Sequence, residues 1–152
     1  MLPEPSARHF DPPNLCRIEV RGHAPRVRDI RWREAIHRAV KEAHPDAPFP
    51  KPPPETKFDV KVTFLMTRAD LKRPASDLDN FVKPVLDTVF TSQNVSSEVT
   101  GVLFPMNDTW VFRLAVEKVA VEAEQDQGAI ITVAWHPPGT PDLCTALAPD
   151  SA

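Results

Sequence analysis

The sequence predicts an α/β (α+β) fold: a small mixed sheet with two helices packed on it, in the order β-α-β-α-β-β. Three observations carry this. Two segments repeat apolar residues at the three- and four-residue spacing of a helix face. Four segments alternate apolar and polar residues, or run apolar over strand lengths. The two kinds interleave along one chain of 152 residues, a length that suits a single domain with a real core.

Residues 1–13 are Pro-rich and polar and read as a flexible arm. The domain runs over 14–136. It opens with Leu15-Cys16-Arg17-Ile18-Glu19-Val20, an alternating first strand ended by Gly22. A helix from about 30 to 44 follows, with Ile30, Ala35, Ile36, Ala39, Val40 and Ala43 on its inner face. Residues 45–54 are rich in proline and predict an extended, exposed loop. In Phe58 to Met66, Phe58, Val60, Val62, Phe64 and Met66 alternate cleanly, so one face of this second strand is buried. Leu78, Val82, Val85 and Val89, widened by Phe81, Leu86 and Phe90, mark the second helix. Polar residues 91–99 loosen the chain, and 101–105 suggest a brief extended piece. Trp110 to Val121 is a third strand, apolar on both faces and therefore expected to be central. A turn at 125–128 leads to Ala129 to Trp135, expected to pair with it as an antiparallel hairpin. Residues 137–152 read as a disordered tail.

Composition narrows the setting. No apolar run approaches membrane-span length and no signal-peptide pattern opens the chain. Cys16 and Cys144 show no metal-ligand spacing, which points to a reduced, cytoplasmic protein without a disulfide framework. The net charge of −3 hides an asymmetry. The first 75 residues carry 15 Lys and Arg against 10 Asp and Glu, a balance of +5, and the remainder 3 against 11, a balance of −8. A basic half beside an acidic centre suits an enzyme that holds metal and nucleic acid; a solvated basic helix is the competing reading.

The chemistry concentrates at Ser76-Asp77-Leu78-Asp79-Asn80-Phe81-Val82-Lys83-Pro84-Val85-Leu86-Asp87. Asn80, Lys83 and Asp87 share the polar face of the helix. Asp77 and Asp79, two residues apart, would diverge by about 160° inside a helix, so they can cooperate only at its cap or just before it. The competing reading is plain N-capping by Ser76 or Asp77. In the expected topology Asp108 stands at the mouth of a central strand, where it converges with Asp77 and Asp79. Three carboxylates without His or Cys suit a hard cation, Mg²⁺ or Mn²⁺, that activates water for phosphodiester hydrolysis, and Lys83 adds positive charge at the developing phosphorane. Arg26, Arg28, Lys72 and Arg73 lie on loops expected to ring that rim and meet a phosphate backbone. No phosphate-binding loop, dinucleotide-binding glycine pattern, zinc-deaminase signature or Ser-His-Asp arrangement is readable.

Asp77-Leu78-Asp79-Asn80-x-x-Lys83-Pro84-x-x-Asp87 resembles the D-L-D-N-x-x-K-x-x-x-D signature of the RusA family of Holliday junction resolvases. Asn107-Asp108-Thr109-x-Val111, closed by Lys118, resembles that family's D-D-x-x-V…K segment, and the element order fits from about Arg17 to Trp135. The resemblance implies a RusA-like fold and a homodimer making paired Mg²⁺-dependent nicks in four-way DNA junctions during recombination and repair. Asp77, Asp79 and Asp108 would be its metal-binding catalytic acids, Lys83 its catalytic lysine, and Lys118 a DNA-contacting or site-adjacent residue. The alternative is a non-catalytic DNA-binding or assembly module that keeps the fold.

Overall fold

A computed structural model describes residues 14–26, 30–73, 77–93 and 98–139. Strand β1 (Leu15–Arg21) leads to helix α1 (Ile30–Ala43) and strand β2 (Lys57–Thr67). A single turn, α2 (Arg68–Leu71), precedes helix α3 (Leu78–Val89). Two-residue strands β3 (Ser92–Gln93) and β4 (Glu98–Val99) pair with each other, and the chain closes with β5 (Val111–Val121) and β6 (Gly128–His136). The α/β fold is as the sequence predicts. The arm at 1–13 and the tail from 140 lie outside the described residues. Among those described, no helix is long and apolar enough to cross a membrane.

The sheet has the order β1-β6-β2-β5. This corrects two expectations. β5 is an edge strand rather than a central one, and it pairs with β2 in parallel rather than with β6 as a hairpin. β6 instead inserts antiparallel between β1 and β2. Charge accounts for the arrangement. β6 carries no Asp, Glu, Lys or Arg, so it can be flanked on both sides, whereas β5 carries Arg113, Glu117 and Lys118, which suit an edge.

One face of the sheet is the core. Ile18, Ile131 and Val62 stand in register across β1, β6 and β2, as do Cys16, Val133 and Val60, all buried. The opposite face is polar, with a salt bridge of Arg17 to Glu19 and contacts from Glu117 to Lys61 and Thr63. Burying one face and solvating the other is what strict alternation along β1 and β2 requires. α1 packs on β1 and α3 through Trp32, Ala35, Ile36 and Val40. The proline-rich loop is not wholly exposed: Ala47 is buried, and the Phe49 ring lies 5.5 Å from Phe104 and 5.8 Å from Trp135.

α3 lies over β2 and runs against it. Its first turns meet the C-terminal part of β2, with Phe81 5.6 Å from Phe64. Its end meets the N-terminal part, with Phe90 5.1 Å from Phe58. Residues 101–104 are no strand; they close the end of the helix. The amide of Val102 donates to the Thr88 carbonyl, and those of Leu103 and Phe104 to the Val89 carbonyl. These acceptors are carbonyls that a helix end leaves without intrahelical partners. A Cβ at Gly101 would stand 2.3 Å from the Phe104 carbonyl oxygen and 2.5 Å from the Val89 carbonyl oxygen, so only glycine allows this closure.

Candidate metal and nucleic-acid site

The acidic stretch opens α3 at one rim of the sheet. Asp77 is the N-cap residue, in extended backbone, and its carbonyl accepts from the amides of Asn80 and Phe81. Its carboxylate makes no capping hydrogen bond. The capping explanation therefore does not account for this side chain, which stands as an exposed carboxylate at the helix N-terminus. Asp79 lies in the first helical turn, also exposed. Asp77 sits outside the helical progression, so the divergence of two helical residues does not apply to the pair. Ser76 lies outside the described residues.

Lys83 projects into solvent, 77% exposed, and its Nζ is 3.7 Å from Asp87 one turn on. Asp87 also faces Arg33 of α1 at 4.0 Å, a partner with no signal in the local sequence because it comes from another helix. Lys118 of β5 reaches the same rim: its Nζ lies 5.8 Å from the Phe81 ring.

The basic residues at this rim are organised by one carboxylate. Asp70, buried in α2, receives the Arg73 Nε at 2.9 Å and faces Arg26 at 3.9 Å. Its own amide is capped by the Thr67 hydroxyl, and the Thr67 amide and hydroxyl both donate to the buried Gln127 side chain. Two arginines on one carboxylate leave a net positive patch, with each guanidinium still about half exposed. Lys72 stands beside them, exposed, with no ion pair among the described residues. Arg28 lies outside the described residues.

Asp108 is elsewhere. It opens a 3-10 turn, Asp108–Trp110, at the entry to β5, and β5 begins at Val111 opposite Phe58. Asn107 caps that turn, its Oδ1 accepting from the Thr109 amide at 2.8 Å, and bridges to Thr91 just past the end of α3. Two rulers give the separation from Asp77. The 12 residues of α3 span about 18 Å along the helix axis. Phe58 to Phe64 spans about 20 Å along β2. Asp77 and Asp79 thus stand at the C-terminal end of β2, and Asp108 at its N-terminal end. The expected convergence of all three carboxylates within one chain does not occur, because β5 runs parallel to β2 and so starts at the far rim. In agreement, no group of three or more His, Cys, Asp or Glu among the described residues is placed to hold a metal ion.

What remains at the first rim is a pair of carboxylates bordered by cations. Mg²⁺ is commonly bound by one or two carboxylates together with waters and substrate phosphate oxygens, so the donor set of Asp77 and Asp79 fits that ion without a third protein ligand. Compared with protein-family models and with curated proteins, the sequence matches none.

Proposed function

We propose that the chain is a Mg²⁺-dependent, structure-selective endodeoxyribonuclease of the junction-resolving kind, working as a homodimer on four-way DNA. The observation that carries this reading is the Asp77 carboxylate: it occupies a capping position without capping, next to Asp79 and on the same rim as Arg26, Lys72, Arg73 and Lys118. The cations hold the phosphate backbone beside the two acids. Asp77 and Asp79 would hold the ion, whose chemistry is to activate water and neutralise charge at the scissile phosphate. Lys83, exposed one turn into α3, is within reach of a strand lying along the helix.

The position of Asp108 favours a second reading, a branched-DNA-binding module that does not cut. One variant separates them. Asp77→Asn keeps the shape and removes a ligand, so the nuclease loses cleavage by orders of magnitude and still binds a junction. If the parent protein binds a junction with Mg²⁺ present and never nicks it, the second reading holds.

A further inference from the structure

A groove runs between β1 and α1, at the edge of the sheet opposite β5. It consists of two cavities, of about 200 Å³ and 300 Å³, that share His23. The first lies between the turn after β1 and the start of α1, and Arg26 and Arg31 line it. The second continues along β1, lined by Arg21 and Arg38. Buried Val20, Trp32 and Ala35 form the floor. Four guanidinium groups thus face two carboxylates, Glu19 and Glu42, a balance of +2 before His23 is counted. Glu19 is already engaged by Arg17 at 2.7 Å and Arg21 at 3.7 Å. Arg38 is exposed, and neither it nor His23 has an ion pair or hydrogen bond among the described residues.

The groove opens onto the acidic rim. Arg21 and Leu65 both stand opposite Gly128 of β6, so the end of β1 lies level with the C-terminal part of β2, the end that carries Asp77 and Asp79. Arg26 belongs both to the groove and to the cluster on Asp70.

We propose that this groove is a track for one unpaired DNA strand, held by its phosphates and leading from the acidic rim along the outer edge of β1. The identity of the polyanion rests on the nuclease reading; binding in the track needs neither Mg²⁺ nor cleavage. Arg31 and Arg38 are seven residues apart, so they share a face of α1 about 10 Å apart along its axis. With one charge per ~3.4 Å of axis on a strand, that spacing covers about three phosphates at most. The groove is concave and walled by one strand edge and one helix, which suits a single sugar-phosphate backbone; a convex duplex meets only its lip. Trp32, the one aromatic side chain besides His23 in the lining, is 1% exposed and offers no ring face for a base to stack on. The hold is therefore on phosphate and indifferent to base, unlike platforms built on exposed aromatics.

The probe is a short fluorescent oligothymidylate, titrated by anisotropy in chelator at several salt concentrations. Arg31→Ala with Arg38→Ala should flatten the slope of log affinity against log salt by about 1.4 units, the single-strand value for two lost phosphate contacts. Arg38→Lys, which keeps the charge, should bring back half of that loss to Arg31→Ala, and Glu42→Gln should raise affinity by removing a carboxylate from the end of the track. Oligocytidylate should bind as tightly as oligothymidylate, and blunt duplex should compete poorly. A 4-thiothymidine oligonucleotide should photo-crosslink to residues 21–38 of the parent protein. An unchanged slope in the double variant, or crosslinks confined to residues 68–83, overturns the track. Displacement by polyglutamate at equal charge overturns the choice of nucleic acid and makes the groove a site for acidic peptide. A parent that shows these slopes and crosslinks but never nicks a junction keeps the track and rejects only the nuclease; one that nicks junctions with the double variant's slope unchanged keeps the nuclease and rejects the track.

Discussion

Phe58 and Phe90 meet edge to face, 5.1 Å between ring centroids, and that contact fixes which end of the sheet each acidic motif occupies. It fastens the end of α3 to the start of β2, so the helix must begin at the other end, where Phe81 meets Phe64. Asp77 goes with the beginning of the helix. Asp108 goes with Thr91 and Phe58 at its end. Phe104 joins the same cluster, 4.8 Å from Phe58 and 5.7 Å from Phe90, so the arrangement rests on several aromatic contacts.

Gly101 is expected to be the least replaceable residue of that end. A methyl group there collides with backbone rather than with a movable side chain. Gly101→Ala should cost ~3 kcal/mol by overpacking. Denaturant unfolding measures it, and a loss below about 0.5 kcal/mol would mean that the closure of α3 is not as tight as described.

Asn107 is expected to act as a cap and not as a substitute metal ligand. Asn107→Ala removes the acceptor for the Thr109 amide and should cost about 1 kcal/mol, whereas Asn107→Asp keeps an acceptor and should be near neutral. Thermal unfolding of the two variants checks this. A gain in junction cleavage by Asn107→Asp at unchanged stability would reassign the position to the chemistry.

Lys72 and Arg73 should separate DNA contact from local structure. Lys72→Ala removes an exposed cation with no ion pair among the described residues, so it should lower junction affinity and flatten the slope of log affinity against log salt by about one unit, with unchanged stability. Arg73→Ala should do the same and also destabilise the protein, because it strips the 2.9 Å partner from the buried Asp70. Unchanged salt slopes in both would move the DNA path off this rim.

Cys16 should be silent in the folded protein. Burial pushes its thiol from 9.0 up to about 12. The unfolded chain therefore releases this proton above about pH 9 while the folded one retains it. Stability contributed by the protonated thiol is complete below pH 9 and drains away between about pH 9 and 12. In a Cys144→Ser background, thiol reagent at pH 8 should label Cys16 only on unfolding. Cys16→Ala should show a shallower loss of stability above pH 9 than the parent.

Much of the fold was legible because single-face burial writes itself into alternation. β1 and β2 were bounded to within a residue or so by Ile18, Val20, Phe58 and Val62, and α3 by Val82, Val85 and Val89. The strand order was not legible in the same way. Trp110 to Val121 looks central when only its apolar residues are weighed. Its Arg113, Glu117 and Lys118, against the uncharged β6, carry the information that it lies at an edge. That one misplacement moved Asp108 to the wrong rim. Asp77 was visible as two alternatives, capping or chemistry; the structure adds that its carboxylate makes no capping hydrogen bond, and the chemical role is the proposal above. The place of Asp70 as the shared anchor of Arg26 and Arg73 was not legible, because Arg26 and Asp70 lie far apart in the chain.

The most direct test of the central claim is nicking of a synthetic four-way junction by the parent protein, with linear duplex of the same sequence as control, as Mg²⁺ is titrated in and then removed by chelator. The account predicts paired nicks in the junction that require the ion, stop on chelation and are absent from the duplex, with Asp77→Asn inactive throughout. Ion-independent cutting, or equal cutting of junction and duplex, or full activity in Asp77→Asn, would contradict it.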